Sequence, residues 1–201
     1  MSSTIARRVL QAPKKPLTAA QRDYLEKVIR VDQAGELGAD FIYAGQHAVF
    51  KRKTPKLAPL IKHMWDQEVH HHDTFDKLQT ERRVRPSLFT PAWKVAAYGL
   101  GLGTALISKE AAMACTEAVE TVIGGHYNSQ LRWLHENFPE EFGDETEMGH
   151  MKQTIKQFRD DELEHLETAI EHDSKKAVPY ILLTETIKAG CRAAIWTAER
   201  L

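Results

Sequence analysis

The chain has little that would brace a fold from outside its core. Two cysteines in 201 residues, Cys115 and Cys191, make no disulfide framework, and their spacing matches no thiolate metal site. Both read as small apolar helix residues in a reducing compartment. No stretch reaches the ~18–20 apolar residues that span a bilayer; the nearest, Val95 to Ile107, stops short. Apolar–polar alternation is scarce and hairpin signals are absent, which argues against a β fold. With 27 basic and 28 acidic residues the net charge is -1, so no global charge argues for a nucleic-acid partner. The first 17 residues lack acids altogether. They carry Arg7, Arg8, Lys14 and Lys15, and the first acid is Asp23. A basic, serine-containing leader of this kind, with Ile5, Val9 and Leu10 as a short apolar stripe, reads as a mitochondrial targeting segment. Residues 18–201 are long enough for one domain with a real core.

What the chain does have is helix punctuation. Thr18 stands three residues before Gln21, a capping-box signature, and predicts a long helix to about Lys51. Gly35, Gly38 and Gly45 lie inside it. Each lowers helix stability, so each is expected to admit a neighbour or a ligand closely. Thr54-Pro55 and Thr90-Pro91 read as caps followed by proline at the first helical position. The first opens a helix to about Arg82, the second a shorter apolar one through Ile107. Ser108 caps a third long helix ending near Asn137. Asp144 with Glu147 forms a second capping box, for a helix to about Asp173, and Pro179 opens a last one to about Arg200. The class is all-α: a four-helix bundle with two additional shorter helices.

The chemistry lies in two Glu-x-x-His motifs, Glu68–His71 and Glu162–His165. Residues three apart on a helix share a face, so each pair can reach one metal ion. Two such motifs, with a glutamate from each of two further helices, make the ligand set of di-iron carboxylate bundles. Glu36 lies 18 residues after Thr18, Glu68 14 after Thr54, Glu120 12 after Ser108 and Glu162 18 after Asp144. All four are mid-helix, where antiparallel packing brings them to one level. Glu117 rivals Glu120 one turn earlier, and spacing alone leaves both open. His72 at +4 rivals His71, and Asp32 and Asp40 flank Glu36 as candidate supporting acids. A third copy, Glu147–His150, is set aside: Glu147 falls in the first turn, where acids suit the helix dipole, roughly 22 Å along the helix from Glu162. Carboxylate and imidazole suit iron first and manganese second.

Four segments carry a resemblance: IRVDQAGELGADFIYAGQ (29–46), WDQEVHHHDTF (65–75), ACTEAVETVIGGHYNSQ (114–130) and FRDDELEHLE (158–167). They resemble the demethoxyubiquinone hydroxylase family of coenzyme Q biosynthesis, a ferritin-like family, over about residues 18–201. The resemblance implies metal ligands at Glu36, Glu68, His71, Glu120, Glu162 and His165, choosing Glu120 over Glu117. Glu68 and Glu120 are expected to help bridge two irons, with Glu162 a further candidate. It implies ring hydroxylation of demethoxyubiquinone with dioxygen and electrons from NADH. It also implies a His126–Tyr127 pair near the substrate and electron route. Arg30, Asp32, Asp160 and Asp161 are candidates to orient ligands.

Such a substrate carries a polyisoprenoid tail. The apolar segment from Phe89 to Ile107, with Trp93 and Tyr98 as anchors, suits a helix lying in a membrane interface; a buried connecting helix is the plainer reading. The same surface could dock the lipid-binding partner protein that the resemblance implies. The expected place is the matrix side of the mitochondrial inner membrane, held peripherally, with oligomeric state left open, a homo-oligomer included. Two other classes compete: a ferritin-like iron store or ferroxidase, and a non-catalytic quinone-binding scaffold. The apolar segment argues against the first, the complete ligand set against the second.

Overall fold

The structure is a computed structural model that describes residues 17–137 and 147–201. The basic leader and the Asp144 cap lie outside the described residues, apart from Leu17. Six α-helices follow in order: α1 (Ala19–Lys53), α2 (Ala58–Arg82), α3 (Thr90–Ile107), α4 (Lys109–Asn137), α5 (Glu147–Glu171) and α6 (Tyr180–Ala198). No strand occurs among the described residues.

Side-chain caps start two of the helices. Thr18 accepts from the Gln21 backbone N–H at 3.3 Å, and its own N–H donates to Gln21 Oε1 at 2.7 Å. Ser108 is extended at the end of α3, and its hydroxyl accepts from Ala111 N–H at 3.0 Å to start α4. At two places the cap-plus-proline expectation is corrected. Thr54 caps the C-terminal end of α1, its N–H bound to the Phe50 carbonyl, and α2 begins later, at Ala58, with Pro59 in its first turn. Thr90 is already helical, its hydroxyl bonding back to the Ser87 carbonyl at 2.7 Å. Thr54 thus serves the helix before the one it was expected to open, whereas Thr90 belongs to the expected helix as its first residue rather than its cap.

Helix α1 pairs with α2, and α4 with α5. The shorter helices flank this four-helix arrangement: α3 packs along α1 and against α4, and α6 packs on α4 and α1. The α1–α3 crossing is close enough to need glycine on both sides. A β-carbon on Gly101 would lie 2.7 Å from the Ile42 carbonyl carbon and closer still to its oxygen, and one on Gly45 would lie 2.6 Å from the Leu102 nitrogen. Gly45 thus admits a neighbouring backbone. Gly35 and Gly38 face open space instead and line a cavity.

Gly101→Ala should therefore cost ~2 kcal/mol or more, because backbone rather than a side-chain tip must give way. Gly99→Ala, where a β-carbon meets nothing within 4 Å, should stabilise by up to ~1 kcal/mol. Urea unfolding of the two variants checks both signs.

Candidate metal centre

The four long helices turn six chemistry-bearing side chains onto one interior point. Glu36 comes from α1, Glu68 and His71 from α2, Glu120 from α4, Glu162 and His165 from α5, and all six are buried. They fall into two overlapping groups whose candidate ligand atoms lie within 4.8 Å of one another: Glu36, Glu68, His71 and Glu162; and Glu68, Glu120, Glu162 and His165. Glu68 and Glu162 belong to both. The sharing differs from expectation at one position, since Glu120 sits in only one group and Glu36 in only the other. The motif pairs α2 and α5 supply the shared acids because each motif places its glutamate one turn before its histidine, centrally between both groups.

Both imidazoles aim Nδ1 inward. His71 Nδ1 is 3.1 Å from Glu162 Oε1 and 3.4 Å from Glu36 Oε2; His165 Nδ1 is 3.1 Å from Glu162 Oε2 and 3.0 Å from Glu68 Oε1. Each Nε2 faces outward to a polar partner. For His71 it is Asp161 Oδ2 at 3.1 Å, and for His165 it is Gln67 Oε1 at 3.0 Å. This is how proteins fix the tautomer and angle of a metal-binding histidine. Asp161 was among the expected orienting residues. Gln67 was missed, though it precedes Glu68 as Asp161 precedes Glu162, a signal the motif comparison could have used. Asp160 instead pairs with Arg159 at 2.6 Å.

Two tyrosines hold the outer glutamates. Tyr43 on α1 donates to Glu120 Oε1 at 2.9 Å, and Tyr127 on α4 donates to Glu36 Oε1 in a short hydrogen bond. Tyr43 was not singled out from the sequence. Its signal is the spacing: it follows Glu36 by seven residues, two helical turns, as Tyr127 follows Glu120. That spacing also corrects the placement of His126. At six residues it points off the glutamate face. Its side chain is 21% exposed, with Nε2 3.5 Å from Asp32 Oδ1 and 2.9 Å from Gln130 Nε2. Tyr127, not His126, reaches the cluster.

The rivals fall away by contact. Glu117 accepts from Tyr180 at 2.6 Å and from Ser174, outside the cluster. His72 turns to Asp40 at 3.0 Å, and Asp40 also accepts from Trp65 at 2.7 Å, so this pair braces α1 on α2. Asp32 accepts from Gln130 at 2.7 Å. Arg30 points away, into a second cleft. Glu147 is the first described residue of α5; its side chain, like the Asp144 cap it was counted from, lies outside the described residues.

The donor set fits two divalent metals. Four buried carboxylate oxygens, Glu36 Oε2, both of Glu68 and Glu120 Oε2, make no well-formed hydrogen bond; an imidazole Nδ1 stands 3.4 Å from the first and 3.0 Å from Glu68 Oε1, and the other two have no donor within hydrogen-bond distance. Unpaired buried anions are costly, and burial pushes Glu36, Glu68 and Glu120 above the usual carboxylate range. Burial would do the same to Glu162, but hydrogen bonds from His165 and His71 hold it low. Burial also opposes charge on the two imidazoles, yet Glu162 first, then Glu36 beside His71 and Glu68 beside His165, raise both. The protein groups alone therefore share protons that a cation would replace.

Beside the cluster lies an apolar cavity of about 350 Å³ between α1, α3, α4 and α6. Its wall includes Gly35, Val119 and Ile123, which adjoin or lie one turn from Glu36 and Glu120, with Trp93 and Cys191 further along.

Four helices converging four carboxylates and two imidazoles on one point have the form of the di-metal carboxylate bundles. The chain belongs to the family described as ubiquinone biosynthesis protein COQ7, whose family model matches residues 23–198. It is 63% identical over 196 residues to the 5-demethoxyubiquinone hydroxylase, mitochondrial, of Saccharomyces cerevisiae, covering 94% of this chain and 84% of that protein. It is 50% identical to the NADPH-dependent 3-demethoxyubiquinone 3-hydroxylase, mitochondrial, of Mus musculus, covering 89% and 79%. It is 43% identical to the 3-demethoxyubiquinol 3-hydroxylase of Rhodospirillum rubrum, covering 94% and 82%.

Because protons held by the raised carboxylates and imidazoles must leave when a cation enters, ferrous affinity should rise as pH rises from 6 to 8. An anaerobic competition titration at the two pH values reads this. An affinity independent of pH would contradict the proton-sharing cluster.

Proposed function

We propose that this chain is a di-iron monooxygenase that hydroxylates the ring of demethoxyubiquinone in ubiquinone biosynthesis. The observation that carries the reading is the buried six-residue cluster beside an apolar cavity, in a chain so similar to hydroxylases named for that substrate. The balance is that of any monooxygenase: one atom of dioxygen enters the ring C–H, the other leaves as water, and a reduced nicotinamide nucleotide supplies two electrons. NADH is the donor expected from the sequence resemblance. The mouse relative is named for NADPH, which makes the nucleotide itself a measurement.

The metal ligands are Glu36, Glu68, His71, Glu120, Glu162 and His165. Two irons held there would supply reductive activation of dioxygen. The chain's own residues do the rest. Tyr43 and Tyr127, whose hydroxyls burial keeps protonated, pin one oxygen each of Glu120 and Glu36. Asp161 and Gln67 hold the imidazoles. The apolar cavity receives the quinone and excludes water from the reacting ring. His126 and Asp32 form the outer end of a route from solvent toward Tyr127 and Glu36.

The apolar tail explains the two flanking helices. No helix among the described residues is long and apolar enough to cross a membrane. Instead α3 and α6 leave large apolar side chains in the open: Val95 is 76% exposed, Ile107 68%, Ile181 74% and Leu182 67%. Trp93, expected as an interfacial anchor, lines the cavity with Leu100 instead, while Tyr98 is exposed. The open faces support a peripheral attachment to a membrane; our reading puts it at the mitochondrial inner membrane on its matrix side, with the leader in residues 1–17 directing the chain there. The same faces would be covered by a lipid-binding partner. An iron store has no need of this cavity or these faces.

The purified, iron-loaded chain should convert a short-tailed demethoxyubiquinone to the hydroxylated ring, with one oxygen atom from isotopically heavy dioxygen, using NADH or NADPH. Iron oxidation without heavy-oxygen product would return the chain to the ferroxidase reading. Gly38→Leu, which projects into the cavity, should raise KM for the quinone by about tenfold or more and leave iron content unchanged.

A further inference from the structure

A second cleft, of about 740 Å³, lies where the loop between α2 and α3 meets the last residues of the chain. Arg30, Arg85, Lys94 and Arg200 line it, and no Asp or Glu does. Arg200 is itself paired with Glu199 at 3.2 Å, an acid that Lys27 shares at 3.2 Å, so the cleft's charge comes from Arg30, Arg85 and Lys94. Arg30 Nε is buried there with no hydrogen-bond partner, a costly state for a cationic donor. Thr90 and Pro91 also line the cleft, so the positive end of the α3 dipole opens into it. The rim is apolar: Leu88 is 73% exposed, Phe89 38%, and Val95 follows on the same helix.

We propose that this cleft binds the phosphate of an anionic phospholipid headgroup. The ligand class follows from the chemistry on the page. Guanidinium forks with an unpaired N–H match phosphate oxygens, and the cleft adjoins the exposed apolar residues Leu88 and Phe89 beside α3, where a headgroup would lie if that face entered a bilayer. The proposal rests on the reading of α3 and α6 as membrane-facing and adds a charge-selective contact to it. Seated there, one lipid fixes the rotation of the protein on the membrane and turns the α1–α3–α6 cavity toward the bilayer.

The test is vesicle co-sedimentation of the full chain, with phosphatidylcholine alone and with phosphatidylglycerol added. Wild type should bind the anionic vesicles more tightly. Arg30→Gln/Arg85→Gln/Lys94→Gln should lose that gain, at roughly fivefold per cation, and bind neutral vesicles like wild type. Arg85→Gln/Lys94→Gln, changing two exposed side chains, should lose most of it should the triple variant misfold. A charge-matched control, Lys175→Gln/Lys176→Gln/Arg192→Gln, should keep the gain. Val95→Glu/Ile107→Glu should weaken binding to both vesicle types, and its failure alone would count against the membrane-facing reading. Undiminished anionic binding by the cleft variants, equal loss in the control, or displacement of wild type from anionic vesicles by NADPH would overturn the proposal.

Discussion

Four glutamates cannot be gathered in the interior of a helical bundle unless something answers their charge. Here all four are buried and four of their oxygens make no well-formed hydrogen bond, so desolvation works against every additional negative charge. The two imidazoles answer part of it, with Glu162 between them as the acid most strongly held as carboxylate. Two tyrosine hydroxyls answer another part. A pair of divalent cations would answer the remainder, and the bundle keeps the oxygens free for them. The long helices, their mid-helix glutamates and the close packing of α3 on α1 all serve to hold that arrangement.

The arrangement has an approximate twofold design. Glu36 and Tyr43 on α1 match Glu120 and Tyr127 on α4, each tyrosine crossing to the other helix's glutamate. Gln67, Glu68 and His71 on α2 match Asp161, Glu162 and His165 on α5, each leading residue crossing to the other motif's histidine. The match is broken at one place: a carboxylate stands behind His71 and a neutral amide behind His165. A carboxylate partner makes an imidazole more basic, so two metals held there would sit in electronically unlike positions. The cavity breaks the symmetry again, since it opens only on the side covered by α3 and α6.

Much of this was legible in the sequence because helical spacing converts directly into geometry. Glu68–His71 and Glu162–His165 declared a shared face, and mid-helix depth picked Glu36. The six-residue set came from those counts together with the family resemblance, which chose Glu120 where depth could not separate it from Glu117. The residues that were missed act across helices. Nothing local marks Gln67 as the partner of a histidine 98 positions away, or Tyr43 as the partner of Glu120. His126 misled because six residues come close to two turns yet end on a different face. Thr54 misled because a cap sequence does not say which helix it serves when two ends adjoin; Thr90 serves the expected helix but stands one position later, as its first residue. Gly101 showed its role only once α1 lay against it.

The central claim is that two metal positions share Glu68 and Glu162, while Glu36 and Glu120 each serve one. The most direct measurement is anaerobic ferrous titration of the wild type and three variants, with stoichiometry read by metal analysis. The account predicts about two irons per chain for the wild type, one for Glu36→Ala, one for Glu120→Ala, and none held tightly by Glu162→Ala. Two irons retained by Glu162→Ala would contradict it.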